Sequence, residues 1–183
     1  MLERRISTLG LIAGALAFLA LAQTPALAQG LPTEGAPGSD VDAEVEVQQF
    51  QDWSLRCLGE AEQRRCELVQ PVDDPETGEP VMAMVIAPSG PDSVPVAWFV
   101  MPLGVLLPPG IGLSIDDAEP DRLPIRHCEP GGCLAPLELS DEVQRRLRSG
   151  VTLEVLAYDI DEQQVSVPLS LMGFTAGMEA LMQ

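Results

Sequence analysis

The chain has 183 residues, 28 of them acidic and 10 basic, for a formal net charge of −18, and every basic residue is arginine. Phosphate backbones and anionic lipid repel a surface this acidic, which excludes nucleic acid as a partner. The length beyond a leader suits one domain able to bury a real core.

Arg4 and Arg5 precede an uncharged apolar run, L-G-L-I-A-G-A-L-A-F-L-A-L-A, and A-L-A follows at 26–28. A basic start, an apolar stretch and small residues at a cut site make a secretory signal. The pattern predicts a signal peptide over residues 1–28, a mature chain beginning at Gln29, and a periplasmic or secreted protein. A retained anchor would need about 20 apolar residues, so no integral membrane segment is expected after cleavage. The residues around the arginine pair are too unspecific for a twin-arginine signal, and no cysteine precedes Cys57 to carry a lipid. Residues 29–44 are rich in Gly, Pro and acid and poor in bulky apolar groups. They bury too little to offset the entropy of ordering, and predict a flexible tether.

From Val45 onward short apolar runs are separated by turn signals about every ten residues, the pattern of an all-β antiparallel sandwich or barrel. Val45 and Val47 alternate with Glu44 and Glu46, and Trp53, Leu55 and Cys57 with Asp52, Ser54 and Arg56. Such alternation turns one side of a strand to the core. Further strands are expected over 81–87, 96–101, 111–115, 122–128 and 134–139. A hairpin over 151–158 and 164–171 is expected to flank D-I-D-E-Q. Trp53 and Trp98, both in apolar strand patterns, read as core residues rather than as sugar-stacking platforms.

One stretch breaks the β pattern. Ser140 can cap a helix, Asp141 and Glu142 suit its positive end, and Arg145, Arg146 and Arg148 its negative end. Val143 and Leu147 give it an apolar side, and Gly150 is expected to end it in a left-handed conformation. A second helix is expected to close the chain, with Phe174, Met178 and Leu181 on one face. Residues 45–183 are thus read as a single β domain with one or two short peripheral helices.

Four cysteines in an exported domain imply two disulfides. In C-E-P-G-G-C, Pro130 and Gly131 suit the central positions of a type II turn, which would bring Cys128 to Cys133. Cys57 ends one strand, Cys66 begins the next, and a polar linker joins them, so these two are expected to pair. Zinc is disfavoured because spacings of eight and four intervening residues do not give two C-x2–4-C pairs. Redox catalysis wants C-x-x-C at a helix start. A Cys–His nucleophile fails because strand neighbours point to opposite faces. His127, the single histidine, reads as a surface residue.

No G-x-S-x-G supplies a serine nucleophile. Asp116, Asp117, Asp159 and Asp161 are available for acid–base work, but among 28 acids such pairs arise by chance. D-I-D-E from Asp159 lacks the glycine and glutamate that a calcium loop needs at its sixth and twelfth positions. No metal and no cofactor is expected. The stretch P-L-G-V-L-L-P-P-G (102–110) has two readings. One is a buried strand with its turn, the commoner arrangement. The other is an interaction edge formed by Pro102, Leu103, Val105, Leu106 and Leu107, where prolines block strand pairing and leave apolar groups beside a turn.

W-S-L-R-C (53–57), C-E-L-V-Q (66–70), P-L-G-V-L-L-P-P-G, C-E-P-G-G-C-L-A (128–135) and V-P-L-S-L-M-G-F-T-A-G-M-E-A-L (167–181), in that order, resemble the invasion-associated locus B family of exported bacterial proteins. The resemblance runs from about Val45 to the end. It implies a small exported β domain without catalytic residues. The strong acidity and lack of lysine depart from any adhesion that depends on a basic surface. The expected function is therefore non-catalytic binding in the envelope or outside the cell, with an envelope or host protein as partner. The alternative is an envelope hydrolase using carboxylates that the sequence does not single out.

Overall fold

The computed structural model describes residues 45–90 and 94–183; the expected signal peptide (1–28) and tether (29–44) lie outside the described residues. The elements in chain order are β1 (Glu46–Phe50), β2 (Trp53–Leu58), β3 (Arg65–Asp73), β4 (Pro80–Ala87), β5 (Val96–Met101), β6 (Ile111–Ile115), β7 (Asp121–Leu123), β8 (His127–Glu129), β9 (Gly132–Glu138), α1 (Asp141–Ser149), β10 (Thr152–Tyr158), β11 (Gln164–Ser170) and α2 (Phe174–Leu181). They form a seven-stranded sheet, β1-β2-β3-β4-β5-β9-β8, and a four-stranded sheet, β11-β10-β6-β7. All pairings are antiparallel.

The sheets face each other as a β-sandwich around one apolar core. Trp53, Leu68, Met84, Ile86 and Phe99 come from the larger sheet, and Ile111, Leu153, Val155 and Leu169 from the smaller. Full burial of each such side chain contributes about 1.5–3 kcal/mol. The helices close the sandwich. Ser140 Oγ accepts the Val143 N–H at 3.3 Å, and α1 buries Leu147. Along α2, Phe174, Met178 and Leu181 are buried. The Phe174 ring meets Trp53 edge-on at 5.4 Å between centroids, while Trp53 Nε1 donates to the Ser170 carbonyl at 3.0 Å.

Five local expectations are corrected. The strand expected over 122–128 is two strands, β7 in the smaller sheet and β8 in the larger. Pro124 falls between them, where it has no N–H for a ladder, and the chain crosses from one sheet to the other. Trp98 is half-buried on the outer face of β5, because Ala97 and Phe99 occupy the core side and neighbours in a strand alternate. Val45 and Val47 are exposed. The register sets Val47 opposite Arg56 on the outer side, leaving Phe50 to meet Trp53, and a one-residue shift exchanges the faces.

The other two corrections concern glycines. Gly150 ends α1 with an extended φ of −83°, its N–H donating to the Arg146 carbonyl, and its small size suits the close approach of Ile115 and Leu171. In the turn between β8 and β9 the positive φ lies on Gly132 (142°) and not on Gly131, so it is not a type II turn. A side chain at Gly132 would strike the Met101 carbonyl of the neighbouring strand.

Candidate functional site

The residues that drew attention in the sequence have structural roles. Cys57 and Cys66 stand opposite each other on β2 and β3, and their sulfurs are bonded, with Cα atoms 4.1 Å apart. Cys128 and Cys133 do the same across β8 and β9, at 3.9 Å. His127 is exposed and its Nε2 lies 3.1 Å from Glu129 Oε1. Among the described residues, no group of three or more His, Cys, Asp and Glu side chains is placed to hold a metal ion.

The four aspartates weighed for acid–base work fall in two separate turns, Asp116 with Asp117 and Asp159 with Asp161. Asp116 accepts the backbone N–H groups of Val151 and Thr152 at 2.9–3.1 Å. Asp159 accepts those of Asp161 and Gln163 at 2.9 and 2.8 Å, which shapes the β10–β11 turn. The two lie at opposite ends of β10, roughly 20 Å apart at the usual rise per residue. That exceeds any separation used by paired glycosidase carboxylates.

What the fold does assemble is an apolar cleft of about 220 Å3 at one end of the sandwich. The start of β4 gives Val81 and Met82, and the end of β5 gives Met101. β10 supplies Val155, Ala157 and Tyr158, and β11 supplies Val165 and Val167. The loop after β5 forms the remaining wall through Pro102, Leu103, Gly104 and Val105, with Asp159 at the rim. Ala157 is small where its neighbours are branched, which leaves space between the ends of the two sheets.

The loop that carries the expected interaction edge is irregular and not a strand. It is pinned in two places. The Leu106 N–H donates to the Tyr158 carbonyl at 2.8 Å, and the Arg122 guanidinium donates to the Pro108 and Pro109 carbonyls at 2.6 Å each. Leu103, between the end of β5 and the first anchor, is 59% exposed, and Leu107, between the two anchors, is 48% exposed, while Val105 packs against the core. Of the five residues, Pro102, Leu103 and Val105 line the cleft; Leu106 and Leu107 lie beyond it.

Volume decides what the cleft can take. Pockets for cofactors or drug-sized ligands run to about 300–1,000 Å3, whereas a dry apolar cavity near 150 Å3 holds benzene. This cleft has room for one large apolar side chain or a short alkyl group. A larger hollow of about 750 Å3 beside α2 mixes Gln48, Arg64, Glu179 and Gln183 with apolar groups and has no comparable apolar wall. The strand residues of the cleft escaped sequence reading because they come from four strand ends far apart in the chain. The proline-flanked loop was the one local signal.

Among the described residues no helix is long and apolar enough to cross a membrane. Residues 53–182 match the model of the family described as invasion associated locus B (IalB) protein. Two relatives, invasion protein B homologs from Brucella abortus (strain 2308) and Brucella abortus biovar 1 (strain 9-941), are each 29% identical over 171 residues, covering 91% of this chain and 92% of theirs. The crystal structure of invasion associated protein b from Bartonella henselae has a similar fold, with a TM-score of 0.66 at 21% identity over 75% of this chain and 95% of that one. The chain belongs to the invasion associated locus B family.

Proposed function

We propose that this chain is exported by the signal in residues 1–28, carries a tether over 29–44, and acts from residue 45 onward as a non-catalytic binding domain in the periplasm or outside the cell. Its partner is an envelope or host protein, a reading supported by the names of its relatives. The observation that carries the binding role is the loop of residues 102–107, which holds exposed leucine beside an apolar cleft while β5 fixes its start at Met101 and the Leu106 N–H and the Arg122 guanidinium fix its far side. Exposed apolar groups on a pinned loop lose little entropy when covered. Binding therefore needs only the surface already present.

The test is affinity capture from envelope and host-cell fractions with the domain and with Leu103→Asp and Leu103→Lys variants that melt normally. A protein retained by the parent domain and lost with both variants is the expected result. Cleavage of a cell-wall or glycan panel by the purified domain would replace this reading with a hydrolase. An intact mass retaining residues 1–28 in the exported protein would overturn the signal assignment.

A further inference from the structure

The charge around the cleft narrows its occupant. The β3–β4 turn opens directly onto Val81 and Met82 and carries Asp73, Asp74, Glu76 and Glu79. The β10–β11 turn, beside Tyr158 and Val165 on the opposite sheet, carries Asp159, Asp161 and Glu162. Both turns are shaped by their own aspartates: Asp74 accepts the Glu76 and Thr77 N–H groups at 2.9 and 2.8 Å, and Asp159 holds its turn in the same manner. The two turns are therefore held in shape, and their other carboxylates project from a fixed backbone. No arginine or lysine occurs between Arg65 and Arg122, or after Arg148, so the elements that line the cleft carry no cation. The ion pairs among the described residues include none of these acids.

Arg122 reaches the loop from β7, but its guanidinium is taken up by the Pro108 and Pro109 carbonyls. An apolar slot between two acidic turns without an ion pair among the described residues therefore complements a segment that is apolar and positive together. An anionic lipid or fatty acid would meet repulsion at the mouth, and a neutral alkyl group would leave the acids without partners. The small volume fits one side chain and not a long acyl tail. Resting on the binding role proposed above, we infer that the cleft docks a basic polypeptide segment, seating one bulky aliphatic side chain between the sheets while Lys or Arg residues flanking it face the two turns. The long-range attraction speeds encounter and the seated side chain sets the lifetime of the complex.

The experiment uses the exported protein and three short synthetic peptides: Lys alternating with Leu, Lys alternating with Ser, and Glu alternating with Leu. Calorimetry is expected to detect binding of the Lys/Leu peptide alone, weakening about tenfold or more when salt is raised to ~0.5 M. Ala157→Leu, which fills the slot, is expected to abolish it. Glu76→Gln, Glu79→Gln, Asp161→Asn and Glu162→Gln combined spare the two turn-shaping aspartates and are expected to weaken it about tenfold or more without moving Tm. Equal binding of the Lys/Ser peptide would reduce the effect to surface charge and overturn the inference. Equal binding of the Glu/Leu peptide, absence of binding by all three, or self-association blocked by Ala157→Leu would overturn it as well. If the peptides fail while a captured protein is still lost with Leu103→Asp, the binding role stands and only the basic occupant falls.

Discussion

On the outer face of the four-stranded sheet, Glu154 lies between Ser114 and Pro168, and Leu156 between Gly112 and Ser166. On the outer face of the seven-stranded sheet, the rows read Val69, Val85, Trp98 and Pro136, then Pro71, Ala83, Val100 and Leu134. An antiparallel sheet with one wet face normally alternates apolar and polar residues. The smaller sheet follows that rule along β10 and β11. The larger does not along β4 and β5, whose V-M-A-M-V-I-A and V-A-W-F-V-M are apolar on both faces. Its outer residues shield one another across the strands instead: Val69, between Ser54 and Val85, is only 4% exposed, and Arg126 stacks over Trp98 at 5.2 Å. Apolar content alone therefore does not reveal which side of a strand faces the core.

The contrast between inner and outer faces can be broken most directly at adjacent residues of β5. Phe99→Ala should cost about 3–5 kcal/mol, the usual loss for an aromatic ring removed from a core. Trp98→Ala should cost only about 1–2 kcal/mol, because the ring already contacts water. Urea denaturation reads both, and equal losses would mean that the outer face is covered in solution. Both disulfides belong to the larger sheet. Cys128→Ser with Cys133→Ser should lower stability by about 2 kcal/mol, the chain-entropy value for so short a loop; an unchanged midpoint would show that β8 is held by its neighbours alone.

Smaller effects sharpen the comparison. Arg126→Ala should cost about 0.5–1 kcal/mol through the lost stacking on Trp98, and should change Trp98 emission while Trp53 stays dark to quenchers. His127→Ala should stay within about 0.5 kcal/mol of the parent, with export unaltered; lost function in a folded variant would reopen R-H-C-E-P-G-G-C as an active site. The smallest effect belongs to Asp74. Backbone N–H groups of Thr77 and Glu76 hold its carboxyl below the ordinary aspartate range. Its folded value is depressed, so the stabilisation is fully present above the unfolded pKa and is lost as pH falls through the folded one. A carboxyl NMR titration giving an ordinary aspartate midpoint would refute this.

Sequence pattern served best where one face was wet. W-S-L-R-C alternates cleanly and is β2, and D-I-D-E-Q sits between the paired strands β10 and β11. Continuous apolar runs located β4 and β5 but were silent on Trp98, since period-two contrast vanishes when both faces are apolar. Val47 was misplaced because Phe50 opposite Trp53 sets the register, a contact that local alternation does not encode. Pro124 carried the signal for the sheet change, but its neighbours were apolar enough to suggest one continuous strand. The cleft was legible through its loop alone, as strand ends from both halves of the chain supply its other walls.

The junction of Trp53 with α2 has a consequence for the order of events in synthesis. Trp53 lies in the second strand of the fold, yet its ring is covered by Phe174 and its indole N–H reaches Ser170, 117 residues later. Gly173 passes so close to the Phe50 carbonyl that any larger residue there would strike it, and the Asp52 N–H meets the Met172 carbonyl nearby. A growing chain therefore cannot close its core around Trp53 until residues 170–174 have emerged. Loop closure over that span comes late in synthesis. Until then the chain remains long, open and able to be threaded.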